Sequence, residues 1–543
     1  MRPAGCTLAV AATLAAVPPG AGSARAEEPM SAIDWLSSSV GPSSGGESAA
    51  GSAAPRPGSV QILGRASSAV LPPVPGETPV TPVIRTETIS EISLDHPPPN
   101  AVGLVSAPRT GVPIDFWGAT PEADLAASVR KERLDTLPAI QSFLMQILLA
   151  ELEPPQTPSP EGRDVLFLAR IDRLLDMGAL DQAVALLDQA DPDDPEVFRR
   201  RFDVALLQGR EDGACRIMTE TPAVTPSFPA RIFCLARRGD WPAAALSLDT
   251  GRALGQIDPE MAELLARFLD PELTEDSPEL PPPARPTPLV FRMMEAIGQP
   301  ISTSTLPVAF AQADLEANHG RKAEIEAAER LTRSGVLDPN RLLGLYTGQR
   351  ASASGGVWDR VTLVSAFDKA LSAGNAARVS QLLPALWDEM QAQELEPAMA
   401  AMFAERLRGV ALDDDAAAIA FRLGLLTPDF AAVAGAHTPA DADEALLIGI
   451  AQGDTSAHPA QDRMGLMLKT VFDARPKAIP ARYAGLLPDK LGEAVLDAID
   501  DVTEGARGDL RRVGDGLMLL RATGFETVAR RAALELVVLE RNG

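Results

Sequence analysis

The chain predicts an all-α fold built from helical hairpins, and three observations carry that expectation. Three stretches between Val165 and Pro259 align on Gly178, Gly209 and Gly239, spaced 31 and 30 residues apart. A fixed period of this size marks stacked helix pairs. The columns around the glycines also match. A phenylalanine stands eleven residues before each (Phe167, Phe198, Phe228) and an arginine eight before (Arg170, Arg201, Arg231). A large apolar residue stands seven before (Ile171, Phe202, Ile232), an alanine five after (Ala183, Ala214, Ala244) and an apolar residue nine after (Leu187, Met218, Leu248). Finally, aromatic residues make up only 4% of the 543, alanine and leucine abound, and 48 prolines punctuate the chain. That composition suits close helix packing. Alanine lets two helices approach, and glycine permits the left-handed turn between them. One hairpin cannot bury its own apolar face, so neighbours stack.

The elements follow in order. Residues 1–26 read as an export signal: Arg2, then the apolar run Cys6 to Val17, a break at Pro18-Pro19-Gly20, and a cleavage site at Ala24-Arg25-Ala26. The run is too short to span a bilayer, and Cys6 precedes it, where a lipidated cysteine would follow. A periplasmic or secreted product is expected. Residues 27–118 read as a disordered tether rich in Ser, Gly, Pro and Ala, a composition that buries too little apolar surface to offset chain entropy. Two apolar islands interrupt it, Ser31-Ala32-Ile33-Asp34-Trp35-Leu36 and Pro113-Ile114-Asp115-Phe116-Trp117. Residues 119–270 form a first helical block, opening at Thr120-Pro121-Glu122. A proline-rich linker covers 271–287, and a second helical block with degenerate repeats covers 288–543. There the glycine columns persist weakly, around Gly374 with Phe367 and Leu383, and around Gly524 with Leu517 and Ala529.

The turn segment Gly239-Asp240-Trp241-Pro242-Ala243-Ala244 resembles the turn and second helix of a tetratricopeptide repeat, and Gly178-Ala179-Leu180-Asp181-Gln182-Ala183 is similar. Leu180 and Trp241 take the family's bulky position two after the glycine; Glu211 does not. The likeness covers residues 163 to 270 best. The period is shorter than the family's, about 34 residues. Ile171, Phe202 and Ile232 also replace the small residue inside the first helix, which sets helix pairs further apart. The resemblance implies an α-solenoid that presents surfaces to protein partners and carries no defined chemistry. Taken whole, the chain also faintly resembles bacterial envelope proteins of no assigned role.

The charge is −25, from 49 basic and 74 acidic residues, and removal of Arg2 and Arg25 with the signal leaves 47 basic. Such a chain repels phosphate backbones, so nucleic acid is an unsuitable partner. A protein partner that is basic overall, or that presents a local acidic motif, is expected. Within the repeats, Arg170, Arg201 and Arg231 would form a positive stripe for an acidic peptide, unless Asp172 and Asp203 neutralise them. Ile33, Trp35 and Leu36 would dock on a partner or fold back on the helices. After the signal only Cys215 and Cys234 remain; a disulfide and two buried thiols both fit.

Catalytic signals are sparse, and no cofactor or metal site is expected. His96, His319, His437 and His458 lack metal-ligand spacing, and no phosphate-binding loop occurs. Gly41-Pro42-Ser43-Ser44-Gly45 matches the letters of a nucleophile elbow without the strand and helix the elbow needs. Asp191, Asp193 and Asp194, and Asp413 to Asp415, lack the glycine of a calcium loop and read as helix caps. The glycine-rich loop ending in Trp358-Asp359 reads as an inter-helix connection. The expected function is that of a non-enzymatic, exported helical-repeat scaffold for protein–protein contact in the cell envelope. The alternative is a cell-wall hydrolase or glycan-binding protein with its site in the second block.

Overall fold

The computed structural model describes residues 35–36, 98–159, 164–270, 272–275, 277–316, 320–348 and 350–540. The expected signal, Cys6, Ile33, His96, His319, the Gly41–Gly45 match and most of the expected tether lie outside the described residues. The described chain is mostly helical. One pair of two-residue parallel strands, Val105–Ser106 beside Ala150–Glu151, is the sheet among the described residues.

The repeat columns fold as helix, glycine turn, helix. Val165–Asp176 leads through Gly178 into Leu180–Leu187, Pro195–Leu207 through Gly209 into Glu211–Glu220, and Phe228–Arg237 through Gly239 into Trp241–Ala253. The three glycines have φ of +78°, +66° and +82°, the left-handed region that favours glycine. In each turn the N–H after the glycine bonds a carbonyl five residues back: Ala179 to Leu174 at 2.8 Å, Arg210 to Ala205 at 2.8 Å, Asp240 to Leu235 at 3.0 Å. This bond satisfies a helix-end carbonyl that would otherwise stay unpaired. Gly374 and Gly524 repeat it, with Asn375 to Ala370 and Phe525 to Leu520. Ala183, Ala214, Ala244, Leu187, Met218 and Leu248 are all buried. Asp194 and Asp413 cap Pro195–Leu207 and Asp414–Leu425 by accepting main-chain N–H groups.

The folded body begins earlier than residue 119. Val102, Val112, Phe116 and Trp117 are buried, so residues 98–118 are part of the core and not of a tether. The reason is a partner remote in sequence. The Gly492 N–H donates to the Phe116 carbonyl at 2.8 Å, and the Ala119 N–H donates to the Asp489 carbonyl at 2.8 Å. Gly118, at φ +54°, permits this approach; a Cβ there would lie 2.2 Å from the Asp489 oxygen.

The same seam continues through the first two long helices. Glu122–Lys131 packs on Val165–Asp176 and on Leu491–Gly505, and Pro138–Leu149 packs on Glu526–Val538. Thr120 Oγ1 donates to Glu493 at 2.9 Å, the Ala139 N–H to Glu535 at 2.7 Å, and Phe143 meets Phe525 with ring centroids 4.7 Å apart. Helices from the two expected blocks also meet across 271–287. Pro288–Ala296 packs on Pro195–Leu207, and Arg292 donates to the Leu207 carbonyl at 3.3 Å.

Cys215 and Cys234 stand on Glu211–Glu220 and Phe228–Arg237, either side of the connecting segment, with Cα atoms 5.1 Å apart and sulfurs at 1.98 Å. Both are buried. A bond closing a loop of 19 residues' separation contributes about 3 kcal/mol by loop entropy. Cys215→Ser with Cys234→Ser is expected to lower stability by that amount in urea. Finding two alkylatable thiols after denaturation of the native protein would exclude the bond.

Candidate functional site

The seam borders a large open cleft of about 1910 Å³. Its walls come from three remote stretches: the end of Glu122–Lys131 with the loop to Pro138, residues 330–339, and Leu491–Gly505 with the start of Leu510–Ala522. Residues 305–308 and 394–398 add to it, as do Arg173, Arg285 and Arg531. Nine arginines and lysines line it against seven aspartates and glutamates, a local reversal of the chain's acidic balance.

Most of these cations are tied down. Arg173 is buried, donates to the Val129 carbonyl at 3.1 Å and pairs with Asp176 at 3.2 Å. Arg330 donates to the carbonyls of Thr303 at 2.7 Å and Leu306 at 2.5 Å, and burial lowers its pKa. Arg512 holds Asp500 at 3.0 Å and Asp501 at 2.7 Å. Two cations are looser. Lys131 is 74% exposed and reaches Asp500 only at 3.4 Å. Arg531 has no hydrogen bond or ion pair among the described residues.

One acid in the cleft stands apart. Glu132 follows the Glu122–Lys131 helix, is 4% exposed, and its Oε2 has no hydrogen-bond partner among the described residues. Burial, followed by the charge of Asp500, pushes its pKa well above the ordinary glutamate value; Asp497 adds to the rise, and Arg173 and Lys131 oppose it. Burial and the neighbouring Asp500 therefore both disfavour loss of the Glu132 proton.

The expected stripe of three arginines is corrected. Arg170 is wholly buried and aims at main-chain carbonyls: Nε and Nη2 to Leu148 at 2.9 and 2.8 Å, Nη2 to Ala150 at 3.0 Å, Nη1 to Asn100 at 3.4 Å. Arg201 is half-buried and bonds Asp188 at 2.7 Å and the Leu187 carbonyl at 3.0 Å. Arg231 is exposed. Equivalent repeat positions have different surroundings because the first repeat is covered by Pro138–Leu149 and the turn at 99–101, and the third is not. Asp172 neutralises none of the three; it pairs with Arg200 at 2.6 and 3.0 Å.

Trp35 and Leu36 are buried on the body, with the Trp35 ring edge-on to Phe310 at 5.6 Å. His437 stacks on Phe421 at 3.7 Å and bonds Glu444 at 2.8 Å, while His458 lies elsewhere, against Gly449. Trp358 is half-buried against the core at the start of Val357–Ser372. Sequence reasoning missed Glu132, Lys131 and Arg531. Only their three-dimensional convergence distinguishes them from ordinary helix-surface charges. No group of His, Cys, Asp and Glu among the described residues has the arrangement of a metal site. No described helix is long and apolar enough to cross a membrane.

No family model, no curated protein and no solved structure matches this chain.

Proposed function

We propose that this protein is an exported helical-repeat scaffold, a solenoid of tetratricopeptide-like hairpins whose charged cleft holds an acidic segment of a protein partner in the cell envelope. The single observation that carries this reading is the concentration of nine cations around one open cleft on an acidic protein. Its breadth suits an extended chain, and the two looser cations, Lys131 and Arg531, have donors to offer carboxylates. The glycine-turn hairpins support the repeat reading, and the apolar run before Ala26 supports export.

The test uses a fluorescein-labelled decaglutamate peptide. Binding is expected to weaken with salt and to fall about tenfold when Lys131→Gln and Arg531→Gln are combined, with helicity unchanged. Absence of binding at low salt, or binding indifferent to the double variant, would refute the cleft as the site.

One observation favours a second reading, a hydrolase. Glu132 lines the cleft with its pKa raised by burial and by Asp500, and a carboxyl that holds its proton more tightly is suited to general acid catalysis. Release of dye from labelled cell wall, abolished by Glu132→Gln at unchanged peptide binding, would establish it. No release from the native protein would dismiss it.

A further inference from the structure

Trp35 is fully buried. Its ring stands edge-on to Phe310 at 5.6 Å, and Phe310 stands edge-on to Phe291 at 5.4 Å. This three-ring ladder occupies the junction between the repeat hairpins and the rest of the body. Phe291 belongs to Pro288–Ala296, which packs on Pro195–Leu207, and Gln312 donates to the Gly178 carbonyl at 2.8 Å.

Phe310 also closes the turn that forms one wall of the cleft. Its N–H donates to the Pro307 carbonyl at 3.0 Å, and Leu306, Pro307 and Val308 line the cleft directly. Arg330 grips the other end of this stretch through the Thr303 and Leu306 carbonyls. Residues 303–310 are thus held by a guanidinium on one side and by an indole on the other.

We propose that Trp35 and Leu36 are a detachable ligand of the protein's own body: they seat in a socket on Phe310, and their seating holds the Leu306–Val308 wall of the cleft in place. The chemistry of the seat supports detachment. The buried Trp35 indole N–H has no acceptor among the described residues, so the described contact rests on apolar area and ring edges. Release returns that N–H to a hydrogen bond with water, which offsets part of what burial gains. The occupant is this chain's own segment in cis, and the socket is a site for a Trp-Leu peptide whether or not the cleft takes an acidic ligand.

The experiment uses the full chain. Trp35→Ala leaves the socket empty, and a fluorescein-labelled peptide of residues 31–36 is expected to bind this variant saturably. It is expected to bind the native protein about tenfold more weakly, because the socket is occupied. Amide hydrogens of residues 306–310 are expected to exchange about tenfold faster in Trp35→Ala and to slow again when the peptide is added. Trp35→Phe, which keeps an aromatic edge without the unpaired N–H, is expected to restore slow exchange. A folded Trp35→Ala protein that fails to bind the peptide would overturn the socket. Exchange at the native rate in that variant would overturn the hold on the wall. Dimers of the native protein that dissociate on Trp35→Ala would overturn seating in cis.

Discussion

Arg170→Met is expected to destabilise the protein by about 3 kcal/mol, read as a lowered urea midpoint. Arg170 is a buried cation whose described partners are main-chain carbonyls alone. Leu148 and Ala150 lie at the C-terminal end of Pro138–Leu149, where helix carbonyls lack internal partners and the dipole is negative. One guanidinium therefore satisfies a helix end and ties it to the Asn100 turn and to the first repeat. Burial lowers its pKa to about 10, which still leaves it charged at neutral pH. Methionine fills the volume but strands the carbonyls. Arg170→Lys is expected to lose nearly as much, because an ammonium lacks the fork that reaches Leu148, Ala150 and Asn100 together. A lysine variant as stable as the native protein would show that the fork is not what matters.

The second large effect is a pH dependence. Glu132 has a pKa raised in the folded state, so the folded protein keeps a proton there that the unfolded chain has already released. Its contribution is fully present below the ordinary glutamate value and is lost as pH rises through the raised one. Within that window stability falls with a slope approaching about 1.4 kcal/mol per pH unit. Glu132→Gln, a permanent neutral isostere, is expected to remove the slope and to be the more stable protein above the window. The groups facing Glu132 are Asp500 and Asp497, which favour the proton, and Arg173 and Lys131, which oppose it. Asp500→Asn is accordingly expected to shift the window downward. Parallel stability–pH curves for the native and Glu132→Gln proteins would disprove the assignment.

The hairpins were legible in the sequence because their signal is local. Gly178, Gly209 and Gly239 need a left-handed φ, and a residue that meets that need at a fixed spacing announces a turn. For Cys215 and Cys234 the sequence left a bond and two buried thiols both open; the structure brings them together because they stand at similar distances from the connection between their helices. The arginine column misled. Position within a repeat says which way a side chain leaves its helix, and not what covers it; Arg170 is covered by residues 99–101 and 138–150, which belong to no repeat. The cleft left no trace in the sequence because Glu132, Arg330 and Asp500 come to line one space only when three stretches remote in sequence meet. For Trp35 and Leu36, the sequence showed that two apolar side chains wanted cover, but nothing near them pointed to Phe310.

The seam between the two ends of the folded body sets a waiting time during synthesis. The partners of Thr120 and Ala139 stand 373 and 396 residues further on, so the apolar faces of Glu122–Lys131 and Pro138–Leu149 leave the ribosome long before Leu491–Gly505 and Glu526–Val538 exist. At ordinary translation rates that interval is about 20 to 80 s. Phe143, Ile147 and their neighbours are exposed to other nascent chains or to chaperones throughout it. A shortened message that ends before residue 489 leaves this face uncovered permanently, so premature termination late in the chain yields an aggregation-prone product even though every repeat hairpin has been made.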